Sequence, residues 1–341
     1  MKRITLAHGG GGLASRELIE REIVPRFGRG PLAGLPDAAT LPLAPEDAGR
    51  PLIWSTDSFV VQPLEFPGGN IGHLAVHGTV NDVAVAGGEP RWLSLGLILE
   101  EGLPLDTLRR VLDAVRDAAQ ACGVAVVTGD TKVVARGQCD GMYMNTAGLG
   151  LGLPGFGDRL RLAPERCRPG DRVLVSGPLG DHGVAVLAAR EGFEGGPESD
   201  TASVHRLVAD AATVAGLDLR FLRDPTRGGL AATLTELVAG GAFGIALAEE
   251  RLPASEGARA LAELLGVDLL QVASEGRVFA VCAPDSAPAV LAAWRVRPEG
   301  AGAVDVGAVT RGDAGRVVLE TTLGGRRLVD VPRGELLPRI C

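Results

Sequence analysis

At 341 residues, with 46% hydrophobic and 22% charged residues, the chain is long enough for two domains that each bury a core, and too apolar for wholesale disorder. A net charge of −8 and the lack of any basic run exclude an extended nucleic-acid surface. No stretch reaches the ~18 apolar residues of a membrane helix, and five cysteines without a CxxC spacing support neither a disulfide framework nor a zinc site.

Taken from the N-terminus, Met1 to His8 opens on two basic residues but meets Gly9, Gly10, Gly11 and Gly12 before an apolar h-region forms. That excludes a signal peptide and predicts a cytoplasmic protein. Segment 28–51, with five prolines, reads as a mobile loop. Strands are predicted at 52–61, 91–99, 124–128 and 142–150, which are apolar, partly β-branched and bounded by Gly, Pro or charge. Between them lie helices at 71–86, ended by Gly87-Gly88, and at 105–122. In the second of these, Leu105, Leu108, Val111, Leu112, Val115, Ala118, Ala119 and Cys122 keep the 3-4 spacing of one buried face, and Gly123 marks the stop.

After Pro169-Gly170-Asp171 the pattern restarts with a strand at 172–176 and a helix from Asp181 to Glu191. Further helices are predicted at 201–215, 228–239, 255–265 and 286–294, and strands near 244–248, 277–282 and 303–309, before a hairpin of 316–321 and 326–331. The fold class is mixed α/β without tandem repeats. The expected organisation is a domain over 1–155, a second over 165–331, and a mobile tail, 332–341, that carries Cys341.

Glycine fills 49 positions, about twice the usual ~7% share, and only two of the 34 basic residues are lysines, Lys2 and Lys132. The polar residues of interest fall where predicted strands end or helices begin. Gly9 to Gly12 let backbone N–H groups approach a ligand, although a simple N-terminal arm has the same composition. Asp57 interrupts an otherwise apolar strand, Asn81-Asp82 sits on an Ala/Val/Gly helix, and Asp130-Thr131-Lys132 follows the strand 124–128. Singly, each aspartate also fits a cap or turn. Together, Asp57, Asp82 and Asp130 with Asn81 and Lys132 point to an oxygen-lined Mg²⁺ site with a lysine reaching phosphate.

The second half adds Asp224-Pro225-Thr226-Arg227-Gly228-Gly229 before a helix, which reads either as an anion site at a helix N-terminus or as an ordinary cap. Ser274-Glu275-Gly276 precedes a strand, where a Glu is commonly just exposed. No Walker A motif occurs, so a nucleotide site here has another design. Cys341, at the chain end, reads either as an incidental thiol or as a swinging one held at high effective concentration near a site.

These residues, with Gly87-Gly88-Glu89-Pro90 and the final Pro338-Arg339-Ile340-Cys341, resemble the HypE family of hydrogenase maturation factors along essentially the whole chain. The acidic and glycine-rich elements are general to a superfamily that includes aminoimidazole ribonucleotide synthetase, formylglycinamidine ribonucleotide synthetase, selenophosphate synthetase and thiamine monophosphate kinase. The Pro-Arg-Ile-Cys end is particular to HypE. Ser274 departs from the asparagine expected before Glu-Gly.

The resemblance implies a homodimer paired through the N-terminal sheets, with ATP and Mg²⁺ between the domains and near the dimer interface. It implies partners too: a HypF-type carbamoyltransferase that loads the Cys341 thiol, and a HypC–HypD scaffold that receives cyanide for the NiFe centre. The implied reaction is ATP-dependent dehydration of the S-carboxamide on Cys341 to a thiocyanate.

An amide oxygen is a poor leaving group. Phosphorylating it makes elimination feasible. Asp57, Asp82 and Asp130, with Asn81, Thr131, Asp224, Thr226, Gly228 and Gly229, would hold Mg²⁺ and nucleotide, Lys132 would stabilise the phosphoryl group or imidate oxygen, and Glu275 would act as base. Competing readings are a small-molecule phosphotransferase such as thiamine monophosphate kinase, which needs no Cys341, and a non-catalytic thiol carrier or scaffold regulated by nucleotide. Selenophosphate synthetase normally carries Cys or Sec near the glycine loop, where this chain has His8.

Overall fold

Buried apolar residues organise the chain around two sheets. The computed structural model describes residues 2–28, 30–32, 35–157, 160–193 and 195–331. The expected tail, and Cys341 with it, lies outside the described residues.

A 3-10 turn at Leu6–Gly9 opens the chain, and a helix outside the predicted elements follows. Segment α1 (Leu13–Leu18) passes through a π-helical turn, Ile19–Ile23, into α2 (Val24–Phe27). Segment 28–51 holds one 3-10 turn at Pro45–Asp47 among its described residues. Its end is tied down by Arg50, which donates to Asp47 at 2.7 Å, Glu89 at 2.7 Å and the Gly152 carbonyl at 2.8 Å. Next come β1 (Leu52–Phe59), a small hairpin of β2 (Glu65–Phe66) and β3 (Gly69–Asn70), α3 (Ile71–Val85), β4 (Gly88–Glu100), α4 (Leu105–Cys122), β5 (Ala125–Val134) and β6 (Met142–Gly152). Asn70 caps α3 by accepting from the N–H groups of Gly72 and His73.

The first sheet has the order β1-β6-β4-β5. Only β4 and β5 run parallel, because the helix α4 makes the crossover between them. Helices α3 and α4 cover one face, burying Leu74, Val80, Leu108, Leu112 and Val115 against Leu93, Leu95, Leu97 and Leu99. The periodicity predicted for 105–122 is the buried face observed. On the opposite face, Trp54 is 74% exposed, Leu52 60% and Ile98 41%.

The second half contains β7 (Arg172–Val175), α5 (Asp181–Glu191), α6 (His205–Ala215), β8 (Leu219–Arg223), α7 (Gly229–Val238), β9 (Gly244–Ala248), α8 (Glu256–Leu265), β10 (Phe279–Cys282), α9 (Ala287–Arg295), β11 (Val304–Thr310), β12 (Val317–Glu320) and β13 (Arg326–Leu328). Its sheet runs β13-β12-β9-β11-β7-β10-β8, antiparallel except for β12 beside β9. Both faces are buried. Val173, Val175, Phe279 and Val281 join the core of α7, whereas Leu174, Leu222, Ala280 and Cys282 join that of α6 and α9.

The two halves share packing. Ala84 of α3 belongs to the core of α6 and α9, and Val186 of α5 to the core of the first half. Helix α6 starts four residues later than predicted because the chain before it is extended across the first half. There, Ser199 N donates to Pro67 O at 2.8 Å, and Val204 N donates to the Asn81 side chain at 2.8 Å. Strand β8, also unpredicted, is the edge of the second sheet and touches α3. Strand β5 runs past Thr128 to Val134, so Gly129-Asp130-Thr131-Lys132 lies within a strand, not after one.

Leu112→Ala tests the first core. Leu112 is fully buried, and the truncation is expected to cost about 2–5 kcal/mol, read as a lowered urea midpoint.

Candidate functional site

The site grows from the alternation of β1. Ile53, Ser55, Asp57 and Phe59 are its half-buried or buried positions, and the residues between them are exposed. Helix α3 crosses the covered face and presents Asp82, whose carboxylate accepts from Ser55 Oγ at 2.7 Å. Gly78 leaves room here, because a Cβ at this position would stand 2.9 Å from the Phe59 ring and 4.0 Å from the Asp57 carboxylate.

The second half closes the other side. The turn after β8 supplies Asp224, Thr226 and Arg227, and the turn before β10 supplies Glu275. With Asp57 and Asp82 they line a cavity of about 450 Å³ at the junction of the halves. Arg223, which pairs with Glu236 at 2.8 Å, also lines it, and Arg227 Nη2 lies 3.8 Å from Asp57 Oδ1. Arg223, Arg227, Glu236, Thr233 and Gly78 were not singled out as site residues from sequence. Arg227 had a signal, its place inside the Asp-Pro-Thr-Arg-Gly-Gly motif.

Carboxylates outweigh cations deep in this cavity. Burial pushes Asp224 up to about 7, and the charges of Asp82 and Asp57 add to the shift. Asp82 is raised as well, by burial first and then by Asp57, against the lowering hydrogen bond from Ser55. Among the described residues no three His, Cys, Asp or Glu side chains are grouped as a metal site. Asp57, Asp82 and Asp224 along the cavity wall suit a Mg²⁺ ion that takes one or two carboxylates and completes its shell with phosphate oxygens and water, as Mg²⁺ commonly does.

The remaining predicted residues divide. Asn81 is one position from Asp82, but its amide is spent on protein: it donates to Ala202 O at 3.0 Å and Glu275 O at 3.3 Å, and accepts from Val204 N. Gly228 and Gly229 shape the turn into α7. Both have positive φ, Gly229 N donates to Thr226 O at 2.8 Å, and a Cβ on Gly229 would sit 2.5 Å from Leu270 O.

Asp130, Thr131 and Lys132 are on β5, at the sheet edge opposite β1. Lys132 Nζ lies 2.8 Å from Asp130, and their hydrogen bond holds the Asp130 carboxyl below its ordinary range. Thr131 lines a small apolar pocket with Ile19, Ile23 and Phe27. Gly9 to Gly12 belong to this edge too, since Gly9 packs on Val133 of β5. A single copy thus holds two clusters at opposite edges of one sheet.

The raised Asp224 has a consequence for stability. The folded chain keeps this proton up to about pH 7, whereas the unfolded chain releases it near the ordinary 3.8. Folded protein then binds more protons across that window, and stability falls as pH rises through it. Asp224→Asn removes the effect. In metal-free melts the variant is expected to gain on the parent between pH 5 and pH 8, by on the order of 2–4 kcal/mol; a pH-independent difference would contradict the burial argument.

Two family models match the chain: the AIR synthase related protein N-terminal domain over residues 36–152 and the C-terminal domain over 168–320. The carbamoyl dehydratase HypE of Bradyrhizobium diazoefficiens is 47% identical over 340 residues, covering 99% of this chain and 96% of the relative. A crystal structure of HypE in complex with ATP is 44% identical with a TM-score of 0.91 and covers 99% of both chains. The HypE–HypF complex is 37% identical with a TM-score of 0.78, covering 94% of this chain and 100% of the other. With both domains and the full length matched, the chain belongs to the HypE family of AIR synthase related proteins.

Proposed function

We propose that this chain is an ATP-dependent carbamoyl dehydratase that converts an S-carboxamide on Cys341 to a thiocyanate and so supplies cyanide during NiFe-hydrogenase maturation in the cytoplasm. The observation that carries the reading is the acidic cavity at the junction of the halves, Asp57, Asp82 and Asp224 facing Arg227 and Glu275, in a chain that matches carbamoyl dehydratases end to end. The likeness to HypE bound to ATP and to HypE joined with HypF supports ATP as co-substrate and a HypF-type carbamoyltransferase as the partner that loads Cys341. A HypC–HypD scaffold is the proposed receiver of cyanide.

The residues divide the work by charge. One or two of Asp57, Asp82 and Asp224 would hold Mg²⁺, which when bound would offset the charge of the phosphates. Thr226 and Arg227 face the same space and offer a hydroxyl and a guanidinium to phosphate oxygens. Transfer of the γ-phosphoryl group to the amide oxygen turns that oxygen into a leaving group, and departure of phosphate with loss of both N–H protons leaves the C≡N bond. Glu275, buried at the cavity wall, takes an N–H proton as base. Lys132 stabilises negative charge on the phosphoryl group or imidate oxygen.

Lys132 and Asp130 reach the cavity through a second copy. Strands β1 and β5 are the two edges of the first sheet, and the face with Trp54, Leu52 and Ile98 is an exposed apolar surface. Free edges and such faces invite pairing. A two-fold homodimer through this face sets the β5 edge of one copy beside the β1 edge of the other. Each of two sites then combines Asp57, Asp82, Asp224 and Glu275 of one copy with the glycine run, Asp130, Thr131 and Lys132 of its partner.

The reaction is read by mass spectrometry of the C-terminal peptide after incubation with carbamoyltransferase, carbamoyl phosphate, ATP and Mg²⁺. The carbamoylated Cys341 peptide is expected to lose one water, and Lys132→Ala to slow that loss by 10²-fold or more. A carbamoyl adduct that persists while ATP is hydrolysed would sink the dehydratase reading, and an undiminished Lys132→Ala rate would remove the lysine from it.

A further inference from the structure

Behind the cavity wall lies a buried polar cluster that the chemistry above does not use. The side chain of Asp200, on the extended segment before α6, is buried, and burial raises its pKa to about 6 although Arg277 opposes the shift. Its Oδ2 lies 3.3 Å from Arg277 Nε, and its Oδ1 accepts the backbone N–H of Glu275 at 3.0 Å. Arg277 is fixed in turn by the carbonyls of Pro178 at 2.9 Å and Glu299 at 3.1 Å, and lies 4.0 Å from Asp181. None of these three charged side chains lines the cavity.

The turn carrying Glu275 is held from four directions. Asp200 takes its N–H, Asn81 of α3 donates to its carbonyl at 3.3 Å, Ser274 N donates to Pro225 O at 3.0 Å, and Ser274 Oγ accepts from Gly180 N at 2.8 Å. Gly276 permits the approach, since a Cβ there would stand 1.8 Å from the Asp200 carbonyl oxygen. A buried ionised group costs several kcal/mol to desolvate unless it is paired. A structural tie could use a neutral amide; a carboxylate braced by an arginine gives a stiffer, charge-assisted bond to the one backbone N–H it meets.

We propose that Asp200 is a positioning residue which, with Asn81 on the other side, clamps the Glu275 backbone so that the Glu275 carboxylate is aimed into the cavity. The assignment deepens the reading of Glu275 as the base and rests on it. It also gives Asn81 a task other than nucleotide binding. Because the Asp200 segment is itself pinned to the first half through Ser199 and Val204, the clamp ties the aim of the base to the seating of one half on the other.

The test uses the full-length carbamoylated protein with ATP and Mg²⁺. Asp200→Ala is expected to lower kcat for dehydration by 10- to 100-fold with KM for ATP within two-fold, and Asp200→Asn, which keeps an acceptor but loses the ion pair, by 3- to 10-fold. On a Glu275→Gln background both losses should shrink to less than two-fold, because a residue that acts through another has nothing further to lose. Hydrogen exchange at the Glu275 amide should accelerate at least tenfold in Asp200→Ala. Losses that multiply with Glu275→Gln, or unchanged Glu275 exchange, would overturn the proposal. If Asp200→Ala does not fold, the Asn variant and its cycle decide, and a wild-type rate there would overturn it. If instead Glu275→Gln dehydrates at the parent rate, the base assignment falls, while the exchange measurement still decides the clamp.

Discussion

Charge crowding at the junction of the halves is the constraint from which the rest follows. Asp57 and Asp82 come from neighbouring elements of the first half, Asp224 from the second, and burial together with their mutual repulsion drives Asp82 and Asp224 toward the protonated form. Like charges gathered in a low-dielectric place are expensive and persist where a counter-charge repays them. A divalent cation carrying phosphates is such a counter-charge, and Arg227 and Thr226 at the same wall suit its anionic side. The shared packing of α3, with Ala84 reaching into the core of α6 and α9, holds the halves close enough to keep this arrangement.

Much of the fold was legible in the sequence. The 3-4 spacing of α4 gave its buried face, and the short apolar runs gave most strands to within a few residues. What failed has physical causes. Strand β8, Leu219–Arg223, carries two arginines in five residues and shows no alternation, because its sheet is buried on both faces. Thr128 does not end β5, since Gly129 to Lys132 pair in register with Leu95 to Ile98, a match set by tertiary partners. Residues 201–204 read as a helix start from composition, yet their backbone is claimed by Asn81, whose side chain donates to Ala202 O and accepts from Val204 N.

For the site, residue type was readable and grouping was not. Spacing singled out the aspartates, but nothing in a linear pattern says that Asp130 belongs to the sheet edge opposite Asp57, with β6 and β4 between their strands. Asn81 shows the same limit: it is a scarce residue beside an acidic one, yet its hydrogen bonds are all to the protein's own backbone. The glycines at 228–229 likewise serve a left-handed turn and a close approach to Leu270. Asp200 and Arg277 carry no sequence signal because the covering of their side chains, the property that makes them informative, is invisible in sequence.

The proposed division of the site between two sheet edges makes a statement about assembly. Asp57→Asn and Asp130→Asn, each as a homodimer, damage both sites of the dimer. A mixed dimer, purified through two different tags, carries one Asp57→Asn copy and one Asp130→Asn copy. If each site draws Asp57 from one copy and Asp130 from the other, both substitutions fall in the same site and the second site is intact. The expected result is that two inactive parents yield a mixed dimer with about half the parent dimer's dehydration rate. A mixed dimer as inactive as its parents would contradict the account.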